Sequence, residues 1–375
     1  MSQKKKVLFL LEAFDKGGIE KVTLDIVNHL DPEKYEITVQ TFWYGGYCQS
    51  QVRDHVTVRP FFFKRYVRGI IRLIAWLPPR WLYRLFVRGR YDVEIAASDG
   101  GAAKVIAGST NQKAKKICWV HMDVIENGSK LKDFSSKSKG RKIYEKFDRI
   151  CCVSEECLKK FQAKFGFYSH MCTLHNPLPN EEIIEKATGK SPFALHTDVC
   201  IFVAVGRLAP EKGFDRLIDS CKQLVDEGMN RFVVYIIGDG NQRQILEDRI
   251  AMHGLNNHVL FEGFQGNPYP YIANADWYLC TSRDEAYPLT IGESLILKTP
   301  VIGTNCAGVN EWLGQNEYGI VVENSTDGIA NGMRRALTMQ AAEYSLWEER
   351  SVKKSHMLDF KQQLHEWEKV VIQNV

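Results

Sequence analysis

The sequence predicts an α/β fold of two Rossmann-like halves, each a parallel sheet flanked by helices. Three observations lead there. Short continuous apolar runs, the pattern of strands buried on both faces, recur as Val7–Leu11, Val199–Val205 and Phe232–Ile237. Segments with apolar residues three and four apart alternate with them, as amphipathic helices require. The chain of 375 residues also exceeds the size at which a single core stops growing. The expected division is an N-terminal domain over 1–180 and a second over 190–350, with a helix at about 355–375 packing back on the first.

In the first half, Val7–Leu11 is a strand, EAFDKGGIEK a loop, and VTLDIVNHL a helix with Val22, Ile26, Val27 and Leu30 on one face. Gly17 and Gly18 sit at that turn. They either simply make it or let the backbone approach a ligand closely. The spacing is not GxGxxG, so a dinucleotide fingerprint is absent. Tyr35–Phe42, Val93–Ala97, Lys116–Val120 and Arg149–Ser154 continue the alternation. His121 follows one of these strands, at the sheet edge where ligands of open α/β sheets bind. Residues 128–142 are polar and basic and read as a mobile loop suited to contact a substrate. Ser154 is a fair N-cap for the helix EECLKKFQAKFG.

Charge is lopsided. The net charge is +4, but residues 1–190 carry +12 and the remainder −8. The excess centres on residues 61–90, which hold Lys64, Arg65, Arg68, Arg72, Arg80, Arg84, Arg88 and Arg90 and no acid. Arg68 and Arg72 are four apart, as are Arg80, Arg84 and Arg88, so each series makes a basic stripe, with Pro78–Pro79 between the two helices. Cationic amphipathic helices bearing Trp lie well in an anionic bilayer interface, so residues 64–90 are expected to touch a membrane surface; packing on the domain core is the alternative. Nucleic acid is excluded as a partner, because no readout motif accompanies the basic half. Ten cysteines form no disulfide or zinc framework, and Lys4–Lys6 lead straight into a strand with no signal peptide. Reduced thiols in a cytoplasmic protein, peripheral on the inner face of the cell membrane, are the expectation.

The stretch HNPLPN and the EEIIEKATGKSP after it have linker chemistry. Beyond them a second α/β pattern runs: Val199–Val205, GRLAPEKG, a helix through Phe214, Leu217, Ile218, Cys221 and Leu224–Val225, then Phe232–Ile237 ending in GDG, Val259–Phe261, Trp277–Cys280 and Val301–Gly303. Four loops fall at strand ends and are expected to converge. Arg207 and Lys212 suit a diphosphate, two cations against about two negative charges. At Gly238 and Gly240, bulk would obstruct a ligand. Gly263–Phe264 follows. Last comes DEAYPLTIGE, where Glu285 and Glu293 flank Pro288 and a helix starting near Leu289, whose free amides and dipole favour an anion.

In this order GGIEK, WVHMD, GRLAPEKG, GDG and Glu285-x7-Glu293 resemble glycosyltransferase family 4, over nearly the whole chain and most densely over 199–322. The resemblance implies the GT-B fold, two facing Rossmann-like domains with a donor/acceptor cleft between them. It implies a retaining, metal-independent transfer from a nucleotide sugar, with no cofactor. Arg207 and Lys212 would hold the donor diphosphate, Glu285 would touch the donor sugar with His121, and Glu293 would bind ribose. Amides near Leu289 and Thr290 would cap the distal phosphate, and Gly17–Gly18 would face phosphate or acceptor. The lack of an obvious DxD motif agrees with this, since Arg, Lys and helix amides stand in for a cation. Ala286 and Asn310 depart from the family pattern, where Gly and Pro are common, which blurs donor identity more than reaction type.

The expected function is transfer from a UDP-sugar, with GDP-mannose possible, to a lipid-linked saccharide in bacterial capsule or exopolysaccharide assembly. The rivals are a GT-B nucleotide-sugar 2-epimerase, which gives no reason for residues 64–90, and a non-catalytic partner subunit, which the intact Arg207/Lys212 and Glu285/Glu293 pairs oppose.

Overall fold

The computed structural model describes residues 3–62, 76–121, 136–166, 168–193 and 199–373. The chain forms two compact units, one of Met1–Pro177 with Phe360–Val375 and one of Leu178–Asp359.

The first unit is built on a parallel sheet of β1 (Lys5–Leu11), β2 (Tyr35–Trp43), β3 (Val56–Phe62), β4 (Val93–Ala96), β5 (Lys115–Val120), β6 (Arg149–Cys152) and β7 (Met171–Thr173), in the order β3-β2-β1-β4-β5-β6-β7. Around it lie α1 (Gly18–His29), α2 (Pro79–Phe86), α3 (Gly101–Ile106), α4 (Lys137–Tyr144) and α5 (Glu155–Phe165). Val7–Leu11 is wholly buried, as a central parallel strand requires. Ser154 caps α5, its hydroxyl accepting the Cys157 amide at 3.1 Å. The C-terminal helix Phe360–Glu368 packs in this unit. Its Trp367 is fully buried, stacked on Phe9 at 5.8 Å and against Trp119 at 5.5 Å. Burying that one ring stabilises the docking by about 3 kcal/mol.

The structure places Phe61 and Phe62 in β3 and revises two expectations here. Lys137–Tyr144 is helical, not loop, and a Cβ on its Gly140 would come 2.4 Å from the Phe165 ring, so α4 and α5 pack without room for a side chain. The stripe Arg80–Arg84–Arg88 is cut short: α2 ends at Phe86, and the Arg88 guanidinium lies 5.2 Å over the Phe61 ring. Lys64, Arg65, Arg68 and Arg72, with the helix expected there, lie outside the described residues, as do residues 128–135.

Helix α2 can begin at Pro79 because the first turn has no amide to lose. Leu82, Tyr83 and Phe86 face inward, and the Tyr83 hydroxyl donates to Glu94 Oε1 at 2.6 Å. Outward stand Trp76, 83% exposed, Trp81, 62% exposed, and Leu85, interleaved with exposed Arg80, Arg84, Arg88 and Arg90. Among the described residues no helix is long and apolar enough to cross a membrane.

The second unit has a parallel sheet of β8 (Cys200–Val205), β9 (Phe232–Ile237), β10 (Val259–Gly263), β11 (Trp277–Cys280), β12 (Val301–Thr304) and β13 (Ile320–Val322), in the order β10-β9-β8-β11-β12-β13. Its helices are α6 (Asn180–Ala187), α7 (Phe214–Asp226), α8 (Arg243–His253), α9 (Tyr269–Ala273), α10 (Leu289–Ile296), α11 (Ala307–Leu313), α12 (Thr326–Thr338) and α13 (Ala341–Ser355). Phe214, Leu217, Ile218, Cys221 and Leu224 turn the apolar stripe of α7 into the core. The linker reading of 180–187 is corrected: these residues form α6, with Glu181 and Glu182 favouring its N-terminus and Ile183 buried. The sheet order reverses between β8 and β11, which opens a site at their C-terminal ends.

Candidate active site

Two loops meet at that reversal. After β8 the chain runs through Gly206–Arg207 to a single 3₁₀ turn, Pro210–Lys212. After β11 it runs through Thr281–Pro288 into α10. Lys212 Nζ donates to Glu285 Oε1, and Ser282 Oγ holds the same oxygen at 2.8 Å. Both side chains are largely withdrawn from water, 26% and 15% exposed. Burial alone would lower the Lys212 pKa, but the Glu285 carboxylate outweighs it and holds the ammonium above the ordinary lysine value. Lys212 is therefore a fixed, fully charged cation.

The other candidates fall around this pair with different standing. Arg207 is exposed, and its Nη2 donates to Glu211 Oε1 at 2.6 Å. Leu289 opens α10, and Thr290 Oγ1 accepts the Tyr278 hydroxyl at 2.6 Å. Val205, Lys212, Tyr278, Ser282, Glu285 and Thr290 line one small cavity. Glu293 lies one turn further along α10, only 3% exposed, with the Tyr269 hydroxyl 3.2 Å from its Oε1. The first helical turn carries no acid, which leaves the positive end of α10 uncompensated by its own side chains.

Gly238 and Gly240 have a steric reason to be glycine within the protein itself. Gly238 has φ +149°, and a Cβ there would fall 1.8 Å from the Gly206 carbonyl oxygen; at Gly240 it would fall 2.4 Å from the Leu208 oxygen. The protein's own backbone already excludes side chains at both, whatever lies in front of them. Gly238→Ala is expected to lose about 1–3 kcal/mol of stability in urea unfolding. A midpoint equal to that of the parent would refute the steric account.

In the first unit Gly17 is the extended N-cap of α1 and Gly18 its first residue. A Cβ on Gly17 would meet only the flexible Glu20 carboxylate, at 2.2 Å, so no backbone crowding demands glycine there. His121 follows β5, its ring 4.8 Å from Trp119. Among the described residues no hydrogen-bond partner meets its Nε2. Burial pushes its pKa down to about 3, so the imidazole is neutral near pH 7. A depressed histidine pKa means the unfolded chain takes up a proton near pH 6.5 that the folded chain refuses. Stability from this group therefore falls as pH drops from 6.5 toward 3.

Comparison with known proteins decides the family. A model of glycosyl transferases group 1 matches residues 187–353, and a model of glycosyltransferase family 4 matches residues 16–182. The chain belongs to glycosyltransferase family 4. Among curated relatives of this family member, the lipopolysaccharide core biosynthesis glycosyltransferase LpsE of Rhizobium meliloti is 29% identical over 40% of this chain and 42% of its own. A Campylobacter jejuni N-acetylgalactosaminyltransferase, named for a diacetylbacillosaminyl-diphospho-undecaprenol acceptor, is 28% identical over 52% of each chain. The chain thus spans about half the length of these curated relatives. HepE of Anabaena, solved with UDP and glucose, superposes with a TM-score of 0.77 over 97% of this chain and 98% of its own, at 18% identity. That likeness establishes the GT-B fold of the family 4 chain.

Several neighbours of the pair escaped the sequence reading. Glu211 and Ser282 each contact an expected site residue, and Tyr278 and Tyr269 reach the site from β11 and α9. Only position marks them: Glu211 lies within GRLAPEKG and Ser282 two residues before DEAYPLTIGE, while the tyrosines carry no sequence signal of a site.

Proposed function

We propose that the protein is a retaining glycosyltransferase that moves a sugar from a nucleotide-diphosphate sugar to a lipid-linked saccharide at an anionic membrane surface. A UDP-sugar is favoured over GDP-mannose, in line with the UDP in the HepE complex. The lipid-linked acceptor and a role in cell-surface polysaccharide assembly are in line with the names of the Campylobacter and Rhizobium relatives. The observation that carries the reading is the charged Lys212–Glu285 pair before the N-terminus of α10, at the point where the strand order reverses.

In this reading Lys212, Arg207 and the amides of Leu289 and Thr290 neutralise charge that grows on the diphosphate as its bond to the anomeric carbon breaks. The acceptor oxygen attacks the same face. Its proton passes to the departing phosphate oxygen, so no separate base and no metal is required. Glu285 orients the sugar through a hydroxyl, His121 contacts that sugar, and Glu293 takes the ribose. The pairing of Glu285 with Lys212 fixes both groups before the donor arrives, so little reorganisation is left to the reaction.

A screen of nucleotide sugars for thermal stabilisation identifies the donor, and release of nucleotide diphosphate is then measured with and without membranes bearing lipid-linked saccharide. Acceptor-dependent release is expected. Conversion of the donor to its 2-epimer without acceptor would replace this reading with an epimerase, and neither stabilisation nor release would remove it.

A further inference from the structure

Lys212 and Glu285 sit on two stretches with little regular structure, one a single 3₁₀ turn and the other the loop from Thr281 to Pro288. Hydrogen bonds within those stretches do not fix their mutual distance. Arg283 does. Its backbone amide donates to the Glu211 carbonyl at 2.8 Å, and its Nη1 donates to the Pro210 carbonyl at 2.6 Å. The same guanidinium forks onto Asp215, with Nη1 2.8 Å from Oδ1 and Nη2 2.6 Å from Oδ2. Asn324 Nδ2 grips the Arg283 carbonyl from behind at 2.8 Å.

The neighbouring contacts run the same way. Thr281 Oγ1 donates to the Lys212 carbonyl at 2.9 Å. Arg216 spans Thr281 and Asn324, with Nη2 and Nη1 each 2.9 Å from their carbonyls. Gly213, at φ +69°, lets the two stretches close: a Cβ there would fall 2.2 Å from the Thr281 oxygen. Burial works against the Asp215 carboxylate, yet Arg283 outweighs it and keeps the pKa below the ordinary aspartate value. The fork is therefore charged near neutral pH, and a bidentate pair of this kind resists rotation as well as separation.

We propose that Arg283 is a positioning residue for the transfer: it clamps the turn bearing Lys212 to the loop bearing Glu285 and so sets the geometry in which cation and carboxylate meet the donor. This rests on the function proposed above. The proposed role needs no contact between Arg283 and the donor. Arg283 acts through Pro210, Glu211 and Asp215, and misplacing a charged group by about an ångström costs on the order of a hundredfold in rate. The loss belongs in kcat more than in donor KM, because the growing charge on the leaving diphosphate depends most steeply on where Lys212 stands.

The test compares Arg283→Gln and Arg283→Lys with Arg334→Gln. Arg334 makes the same kind of fork onto Glu227, at 2.8 and 2.6 Å, on the unit surface and outside both loops. Arg334→Gln is expected to leave kcat unchanged. Arg283→Gln is expected to lower kcat by about tenfold to a hundredfold, donor KM by no more than about threefold in either direction, and melting temperature no more than Arg334→Gln does. Arg283→Lys keeps the charge and loses the fork, so its kcat falls between. A kcat for Arg283→Gln within about twofold of the parent overturns the clamp while the parent's turnover keeps the function. Loss of kcat that tracks loss of folded protein reduces Arg283 to a stabilising residue and also overturns it. A parent that neither binds nor turns over any nucleotide sugar rejects the function and the clamp together.

Discussion

Lys212→Ala is expected to lower turnover by about two to three orders of magnitude, the loss seen when one preorganised group facing a developing charge is removed. It is also expected to cost stability, for a separate reason. Glu285 is 15% exposed and its Oε1 has two partners, Lys212 Nζ and Ser282 Oγ; deleting the lysine leaves the carboxylate on a single hydroxyl. Because both side chains retain some water contact, the penalty is about 1–2 kcal/mol, below that of a fully buried pair. The two effects separate in the double variant Lys212→Ala with Glu285→Gln, which removes the stranded charge. Its urea midpoint should recover most of the loss while turnover stays as low as in Lys212→Ala. Near-parent turnover in Lys212→Ala, with folding intact, would reject the phosphate role. Recovery of turnover together with stability would show that the lysine merely neutralises Glu285.

The parts of this molecule legible in the sequence are those set by burial patterns along one element. Val7–Leu11 and Phe232–Ile237 had to be parallel strands because nothing polar interrupts them, and α7 showed its stripe because Phe214, Leu217, Ile218, Cys221 and Leu224 share a face. What stayed hidden was set by partners distant in sequence. β7 is three residues of an edge strand, MCT, too short for any period to show. The acidic start of α6 read as a linker because only Ile183 anchors it in the core. At Gly238 and Gly240 the carbonyls of Gly206 and Leu208 that crowd them are invisible to pattern reading. Arg283 had no signal at all: four of its five bonds engage backbone carbonyls or a carboxylate some seventy residues earlier.

The second large effect concerns the surface around α2. Every exposed described residue from Trp76 to Arg90 is an arginine, a tryptophan, Leu85, Pro78 or Gly89, with no acid to offset them. Leu82, Tyr83 and Phe86 fill the inner face against the core, and among the described residues Trp81 and Leu85 stand exposed outside it. An outward tryptophan among arginines suits a headgroup layer, where the ring sits at the acyl boundary and the guanidinium groups meet lipid phosphates. Replacing Arg80, Arg84 and Arg90 with Gln removes three cations worth about 1 kcal/mol each near an anionic surface, which is on the order of a hundredfold in vesicle partitioning. Arg88 is left in place because its stacking on Phe61 also supports the fold. Trp81→Ser tests the apolar share by itself and should weaken binding to neutral and anionic vesicles alike, whereas the arginine changes act only on anionic ones. Sedimentation with phosphatidylglycerol vesicles reads both. Unchanged partitioning in the arginine variant would reject membrane contact through α2, and donor turnover with a soluble saccharide, unaltered in the same variant, would confine the effect to the surface.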